Sequence, residues 1–295
     1  PQEDGKIVIC AEDKGETLEY DSCMDLPLDG HLDLLKGIYN RVVKDFTGRP
    51  LSFRLITFVD APPGSGLGSS STLVTAVLGA FVEWLRLPLG EYDLAYLAYR
   101  IERIDLGYSG GKQDQYAATF GGVNFMEFFP DDKVIVNPLR VKPEILNELA
   151  VNMVLFYTGT SRLSSEIIGK QQESIRKNRQ SSVEAMHKTK EMATLMKEAL
   201  LRGSLNRIGE LMHEGWQYKK EMAEGISNPG IDKIYEAARK AGALGGKISG
   251  AGGGGYMFFF CPGASRFRVI EALSRFEGSV TPFDFTTSGL STWTI

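Results

Sequence analysis

The stretch APPGSGLGSSSTLVTAVLGAF, Ala61–Phe81, limits what this chain can fold into more than any other. Ahead of it, Leu51–Val59 alternates: Leu51, Phe53 and Leu55 share one face of a strand, and Ser52 and Arg54 take the other. Behind it, Leu73, Val74, Val77, Leu78, Phe81 and Leu85 recur at helical spacing, with Ser69 or Ser70 standing where an N-cap belongs. Strand, glycine loop and helix are thus contiguous. Gly64, Gly66 and Gly68 let backbone N–H groups approach a ligand, and the helix N-terminus adds the favourable end of its dipole, so the guest this geometry accepts is an anion, phosphate first. For one glycine loop taken alone, a plain structural turn remains an open alternative.

Two common phosphate loops are excluded by wording. No Gly-Lys-Ser/Thr follows these glycines or occurs elsewhere, as a Walker loop requires, and no acidic residue closes a second strand about 20 residues on, as a dinucleotide fingerprint requires. The formal charge of -4 over 295 residues carries no basic footprint for nucleic acid. Cys10, Cys23 and Cys261 are odd in number and lack C-x-x-C spacing, which fits a reducing, cytoplasmic setting without a disulfide framework or a zinc ribbon. Apolar runs such as MFFFC, Met257–Cys261, are far shorter than the roughly 20 residues of a membrane span.

Further along, EYDLAYLAYRIERI reads as a helix introduced by Pro88 and Gly90, with Glu102 near its end. A second glycine loop, GYSGGKQDQ, follows, and then an alternating, aromatic hairpin between Gly121 and Val136. Residues 164–224 are rich in Lys, Glu, Met and Gln and read as two or three helices broken near Gly203, with most of the charge on solvated faces. Met186, Met192, Met196 and Met212 read as core filler there, as do Trp216 and Tyr218, although the two aromatic residues could also border a sugar site. Last come a helix, the third glycine loop GGKISGAGGGG and the apolar strand YMFFF. A domain boundary is expected near Ala150, giving units 1–150 and 151–295.

Together, PPGSGLGSSS, GYSGGKQDQ and GGKISGAGGGG, in that order, resemble the GHMP small-molecule kinases, and the likeness covers the chain from its first complete strand onward. Within the family, GYSGGKQDQYAATFGGVNFMEF followed by YTGTSRLSSEI looks most like members that phosphorylate a heptose 7-phosphate, with L-fucokinases more distant. The resemblance implies an α+β fold in two parts, an N-terminal sheet-and-helix domain that holds ATP and a ferredoxin-like C-terminal domain, with the active site between them. It also implies ATP- and magnesium-dependent transfer to the anomeric hydroxyl of D-glycero-D-manno-heptose 7-phosphate, in nucleotide-heptose synthesis. Fucose or galactose is the alternative acceptor. A non-catalytic sugar or nucleotide sensor is a rival from another class, and a nucleotide-binding oxidoreductase is a weaker one.

By the same resemblance, Pro63, Gly64, Ser65, Gly66, Leu67, Gly68, Ser69, Ser70 and Ser71 would wrap the ATP phosphates, with Gly252 and Gly253 of the third loop behind them. Ser70 and Glu102 would ligate Mg2+, a hard cation that takes oxygen donors and keeps much of its water. Asp114 would be the catalytic carboxylate, with Lys112 beside it and Gly110 and Gly111 at the substrate. Arg162 would bind the phosphate already on the sugar, since a guanidinium presents a planar fork to phosphate. Plainer roles stay open: Glu102 as a surface partner of Arg100 or Arg103, Lys112 as a solvated lysine, and Arg162 paired along a helix with Glu166. His31, His187 and His213 show no metal-ligand spacing, and the helical region is compatible with a homodimer. The chain opens PQEDGKIVICAED, mid-sheet and without the family's first motif, so a preceding segment is expected.

Overall fold

A computed structural model describes residues 1–160, 164–177 and 180–294 of the chain. They form two compact units: Pro1–Pro62 with Gly68–Gly122 and Thr287–Ile295, and Pro63–Leu67 with Val123–Thr286. The chain therefore leaves the first unit after Gly122, and the expected boundary near Ala150 falls inside the second.

The first unit is built on a three-stranded sheet. Its centre is β1 (Lys6–Ala11), antiparallel to β2 (Glu16–Asp21) on one side and parallel to β3 (Phe53–Thr57) on the other. Alternation along β1 turns Ile7, Ile9 and Ala11 into the core. Against them pack α1 (Asp33–Val42), α2 (Ser69–Leu85) and α3 (Glu91–Arg100), through Ile38, Tyr39 and Val42, then Val74, Val77 and Phe81, then Leu94 and Ala98. Beyond α3 the coil widens into a π-type turn over Ile101–Asp105, and α4 (Gln113–Phe120) follows. The C-terminal segment returns to this unit: the Leu290 N–H donates to the Thr119 carbonyl, and Gly79 makes room for the Leu290 side chain.

The second unit opens with the hairpin of β4 (Asn124–Phe128) and β5 (Val134–Pro138), turned through Asp131 and Asp132 at φ of 62° and 61°. After α5 (Pro143–Asn152) comes a four-stranded antiparallel sheet of β6 (Met153–Tyr157), β7 (Gly245–Ile248), β8 (Tyr256–Phe260) and β9 (Ser279–Thr281). Its order, β7-β8-β6-β9, with helices after β6 and after β8, is the ferredoxin-like βαββαβ arrangement that the family resemblance implies. Four helices stand between β6 and β7: α6 (Ser164–Arg176), α7 (Gln180–Leu201), α8 (Leu205–Met222) and α9 (Pro229–Ala241). Gly203, at φ 70°, breaks α7 from α8 where expected.

Both faces of this sheet are covered, which is why YMFFF is apolar at every position. Met257 and Phe259 meet Ile231, Ile234 and Ala238 of α9 and Val269 and Leu273 of α10 (Ser265–Leu273); Phe260 meets Leu205, Ile208 and Met212 of α8 on the other side. Met192, Met212 and Trp216 are core residues, whereas Met186 is exposed. Two local readings need correction. The stretch taken as one glycine turn after α9 contains the strand β7, whose Gly245 and Gly246 hide it from β propensity. And α2 starts from Gly68 at φ 74°, one residue ahead of the expected serines, so its N-cap has no side chain to bond the first turn.

The small residues of β7 are a packing requirement. A Cβ on Gly245 would lie 1.9 Å from the Gly209 carbonyl oxygen of α8, so helix and strand meet backbone to backbone. Gly245→Ala is expected to push α8 off the sheet and cost about 3 kcal/mol, the scale of severe overpacking. Urea denaturation checks this, and a loss below about 1 kcal/mol would show that the contact is soft.

Candidate active site

A buried carboxylate organises the first unit around the start of α2. Glu102 sits in the π-type turn after α3 and is fully buried, not the surface glutamate its sequence context allowed. Its oxygens accept from the Ser70 hydroxyl at 2.9 Å, the Ser71 hydroxyl at 2.7 Å and the Gln115 amide at 2.5 Å, and Arg103 Nη1 lies 3.7 Å away. Burying an ionised carboxylate costs several kcal/mol unless such donors replace water. The widened turn aims Glu102 inward, under the first turn of α2.

The start of α2 is itself uncapped. Its N-cap is Gly68, which has no side chain, and the Ser70 and Ser71 hydroxyls are engaged by Glu102, so the N–H groups of the first turn have no side-chain cap. Gly68, just ahead, accommodates a second carboxylate: a Cβ there would lie 3.2 Å from Cγ of Asp114. Asp114 and Gln115 are neighbours on α4, and Gln115 turns into the core while Asp114 stays open to solvent. Low-polarity surroundings raise the Asp114 pKa above the usual carboxylate range, with Arg103 pulling it back down and Glu102 pushing it up.

The expected cation beside Asp114 was Lys112, but Lys112 stands over the Tyr99 ring, 4.8 Å from its centroid, and Arg103 is the positive charge Asp114 feels. Gly110 and Gly111 hold that guanidinium in place. Arg103 Nε donates to the Gly111 carbonyl at 3.2 Å, and a Cβ on Gly110 would lie 2.5 Å from Cζ of Arg103. Sequence reasoning offered Arg103 only as a partner of Glu102, not as the cation acting on Asp114, and gave Gln115 no role.

The glycine loop's leading half belongs to the second unit, where the third glycine loop clasps it. The Ser249 hydroxyl donates to the Gly66 carbonyl at 2.7 Å and the Tyr256 N–H to the Ser65 carbonyl at 3.0 Å. A Cβ on Gly255 would lie 2.2 Å from the Ser65 oxygen, and one on Gly66 2.8 Å from the Ser249 oxygen. Both loops need bare backbone to touch. Ser65 is buried with its hydroxyl unpartnered among the described residues, while Pro63, Gly64 and Leu67 are exposed. The Gly253 N–H is spent on the Ile226 carbonyl and Gly252 packs on the same residue, so these two glycines shape the loop. Thr158 and Thr160 serve it too: the Thr158 hydroxyl donates to the Gly255 carbonyl at 2.9 Å and the Gly255 N–H to the Thr160 carbonyl at 2.7 Å. Arg162 lies outside the described residues.

Comparison with known proteins matches residues 33–122 to the GHMP kinases N terminal domain and residues 196–278 to the GHMP kinases C terminal region. The D-glycero-alpha-D-manno-heptose 7-phosphate kinase of Campylobacter jejuni is 49% identical over 294 residues, covering 100% of this chain and 86% of the relative. A D-glycero-D-manno-heptose 1-phosphate kinase structure from Bacteroides thetaiotaomicron superposes with a TM-score of 0.83 at 42% identity, covering 100% of this chain and 85% of the other. The Lactococcus lactis galactokinase complexed with galactose shares the fold, with a TM-score of 0.74 at 21% identity over 98% of this chain and 84% of the other. With both family regions matched in order and a whole-length relative at 49% identity, the chain belongs to the GHMP kinases, enzymes that use ATP to phosphorylate a hydroxyl group.

Proposed function

We propose that this kinase transfers the γ-phosphoryl group of ATP to the anomeric hydroxyl of D-glycero-D-manno-heptose 7-phosphate. The observation that carries the chemistry is the α2 N-terminus: unspent N–H groups, a buried carboxylate beneath them and a second carboxylate against Gly68. The substrate reading draws on the two heptose-phosphate relatives, whose names agree on a heptose monophosphate and differ in the phosphate it carries. We take the 7-phosphate from the relative of higher identity.

The roles follow from position. Asp114 accepts the proton of the attacking hydroxyl; the new oxygen–phosphorus bond forms as the bond to the β–γ bridging oxygen breaks, and ADP leaves with that electron pair. A raised carboxyl pKa brings the base closer to the hydroxyl's proton affinity, and Arg103 opposes the rise. The α2 amides and the loop from Gly64 to Ser71 cradle the phosphates. The donors near them are oxygens only: the Glu102 carboxylate and the exposed Ser70 hydroxyl, a set that fits Mg2+. Bound there, the ion neutralises phosphate charge. The sensor reading is disfavoured because a binding module has no need of the Asp114 arrangement, and a cytoplasmic enzyme of sugar-phosphate metabolism accounts for it.

The direct test is a coupled ADP-release assay with heptose 7-phosphate, heptose 1-phosphate, free heptose, fucose and galactose. Turnover confined to the 7-phosphate is expected; turnover of a free sugar instead, or of the 1-phosphate alone, overturns the substrate assignment. A pH profile tests the base. kcat/KM rises as Asp114 loses its proton, so the acid limb lies above the ordinary carboxylate range, and Arg103→Ala, which removes the opposing cation, moves it to higher pH. A limb that stays put in Arg103→Ala would remove Asp114 from the base role. Gly68→Ala, with a methyl aimed at Asp114 and φ at 74°, is expected to cut kcat on the order of 100-fold while the protein stays folded. Steady-state kinetics beside a melting curve separates the two effects.

A further inference from the structure

Lys219 takes no part in the chemistry above and lies outside the three glycine motifs, near the end of α8. Among the described residues no carboxylate pairs with it. The α8 acids Glu210 and Glu214 bond to Arg207, and Glu221, two positions on, does not face it, since residues two apart stand on different sides of a helix. What Lys219 meets is backbone: its amine donates to the Gly250 carbonyl. The contact follows from the packing of α8 on β7. The two elements touch backbone to backbone at Gly209 and Gly245, and from Gly209 to Lys219 the helix advances about 15 Å, enough to carry Lys219 past the end of the strand at Ile248.

The third glycine loop begins there, and such a loop is costly to hold still. Gly250, Gly252, Gly253 and Gly255 all take positive φ, and glycine gives up more conformational freedom on folding than any other residue. Its place is therefore set by anchors. The Ser249 hydroxyl bonds the Gly66 carbonyl, Gln171 Nε2 reaches the Ala251 carbonyl at 3.5 Å, and the Ile226 carbonyl holds the Gly253 N–H. Between the first two of these, Lys219 fixes Gly250 itself. Gly250 is in backbone contact with the nucleotide loop, because a Cβ there would lie 2.9 Å from Cα of Gly66. Pro63–Leu67, α8 and the third glycine loop all belong to the second unit, so the whole series of contacts lies within one compact body. Desolvation, with the like charge of Lys247 added, lowers the Lys219 pKa to about 7. Amine and ammonium both donate to a carbonyl, so the anchor holds in either protonation state.

We infer that Lys219 is a positioning residue for the nucleotide: by holding the Gly250 carbonyl it keeps the third glycine loop seated on Gly66, and so keeps the phosphate loop in the form that accepts ATP. Its role is carried through the loop, so its effect falls on ATP affinity and not on the acceptor sugar. The inference rests on the reading of residues 64–71 as the cradle of the ATP phosphates.

The test is calorimetric titration of ATP with Mg2+ in excess, set beside the KM for the phosphosugar and a melting curve. In Lys219→Met, which keeps the long side chain and removes the donor, the Kd for ATP is expected to rise on the order of 10-fold, the cost of one hydrogen bond to the loop, while KM for heptose 7-phosphate stays within about twofold. Lys219→Arg restores part of the loss. Ser249→Ala removes the neighbouring anchor, and the double variant Lys219→Met/Ser249→Ala should depart from additivity, since both bonds hold one loop. An unchanged ATP affinity in Lys219→Met overturns the inference, and so does an equal rise in the KM for the phosphosugar or strict additivity in the double variant. If heptose 7-phosphate is not the substrate, the ATP titration still decides, because it needs no acceptor. Gly66→Ala separates the inference from the reading beneath it. Loss of ATP binding in Gly66→Ala with none in Lys219→Met sinks the role of Lys219 alone, whereas ATP binding that survives in Gly66→Ala overturns the phosphate-loop reading and the inference with it.

Discussion

The bonds from Ser70, Ser71 and Gln115 to the Glu102 carboxylate are the interaction on which the rest of the site depends. They tie α2, the turn after α3 and α4 together at one buried point. In a low-dielectric surrounding each charge-assisted bond is strong, and losing one leaves an uncompensated carboxylate. The arrangement therefore behaves as a unit. The helix end beside it is bare for a separate reason: the N-cap of α2 is Gly68, which has no side chain, so the first-turn amides are left for a ligand.

The second constraint is bare backbone. Gly66 and Gly255 allow the phosphate loop and the third glycine loop to touch, Gly68 admits Asp114, and Gly110 makes room for the Arg103 guanidinium. A methyl at any of these positions meets an atom within 3.2 Å. Glycine at these places is dictated by contact as much as by torsion, and the contacts concern the nucleotide loop or the base. The three motifs that carry the family resemblance are the three segments engaged in them.

Much of this was legible in the sequence because it is written in local pattern. The alternation of Leu51–Val59 and the helical spacing from Leu73 to Leu85 located β3 and α2, and the break at Gly203 separated α7 from α8. What escaped depends on partners far along the chain. Glu102 could be read as a surface residue because Ser70 and Ser71 lie more than 30 positions away, and burial is a property of the pair. Ser69 and Ser70 looked like caps, but the helix starts earlier, with Gly68 at the N-cap. Arg103 and Gln115 carried no signal beyond adjacency, and Lys112 was preferred over Arg103 by nearness in sequence to Asp114, although Arg103 is the cation that acts on the Asp114 carboxyl. The strand β7 was hidden by its glycines.

The most direct measurement of the central claim is the magnesium dependence of ATP binding, titrated calorimetrically in the wild type and in Glu102→Gln. The amide keeps the shape of the side chain and removes its charge. The predicted result is an ATP affinity that rises with Mg2+ in the wild type and no longer does so in Glu102→Gln, with metal-free binding similar in both and both proteins folded. An unchanged magnesium response in Glu102→Gln would contradict it, and would reduce the buried carboxylate to a structural brace beneath α2.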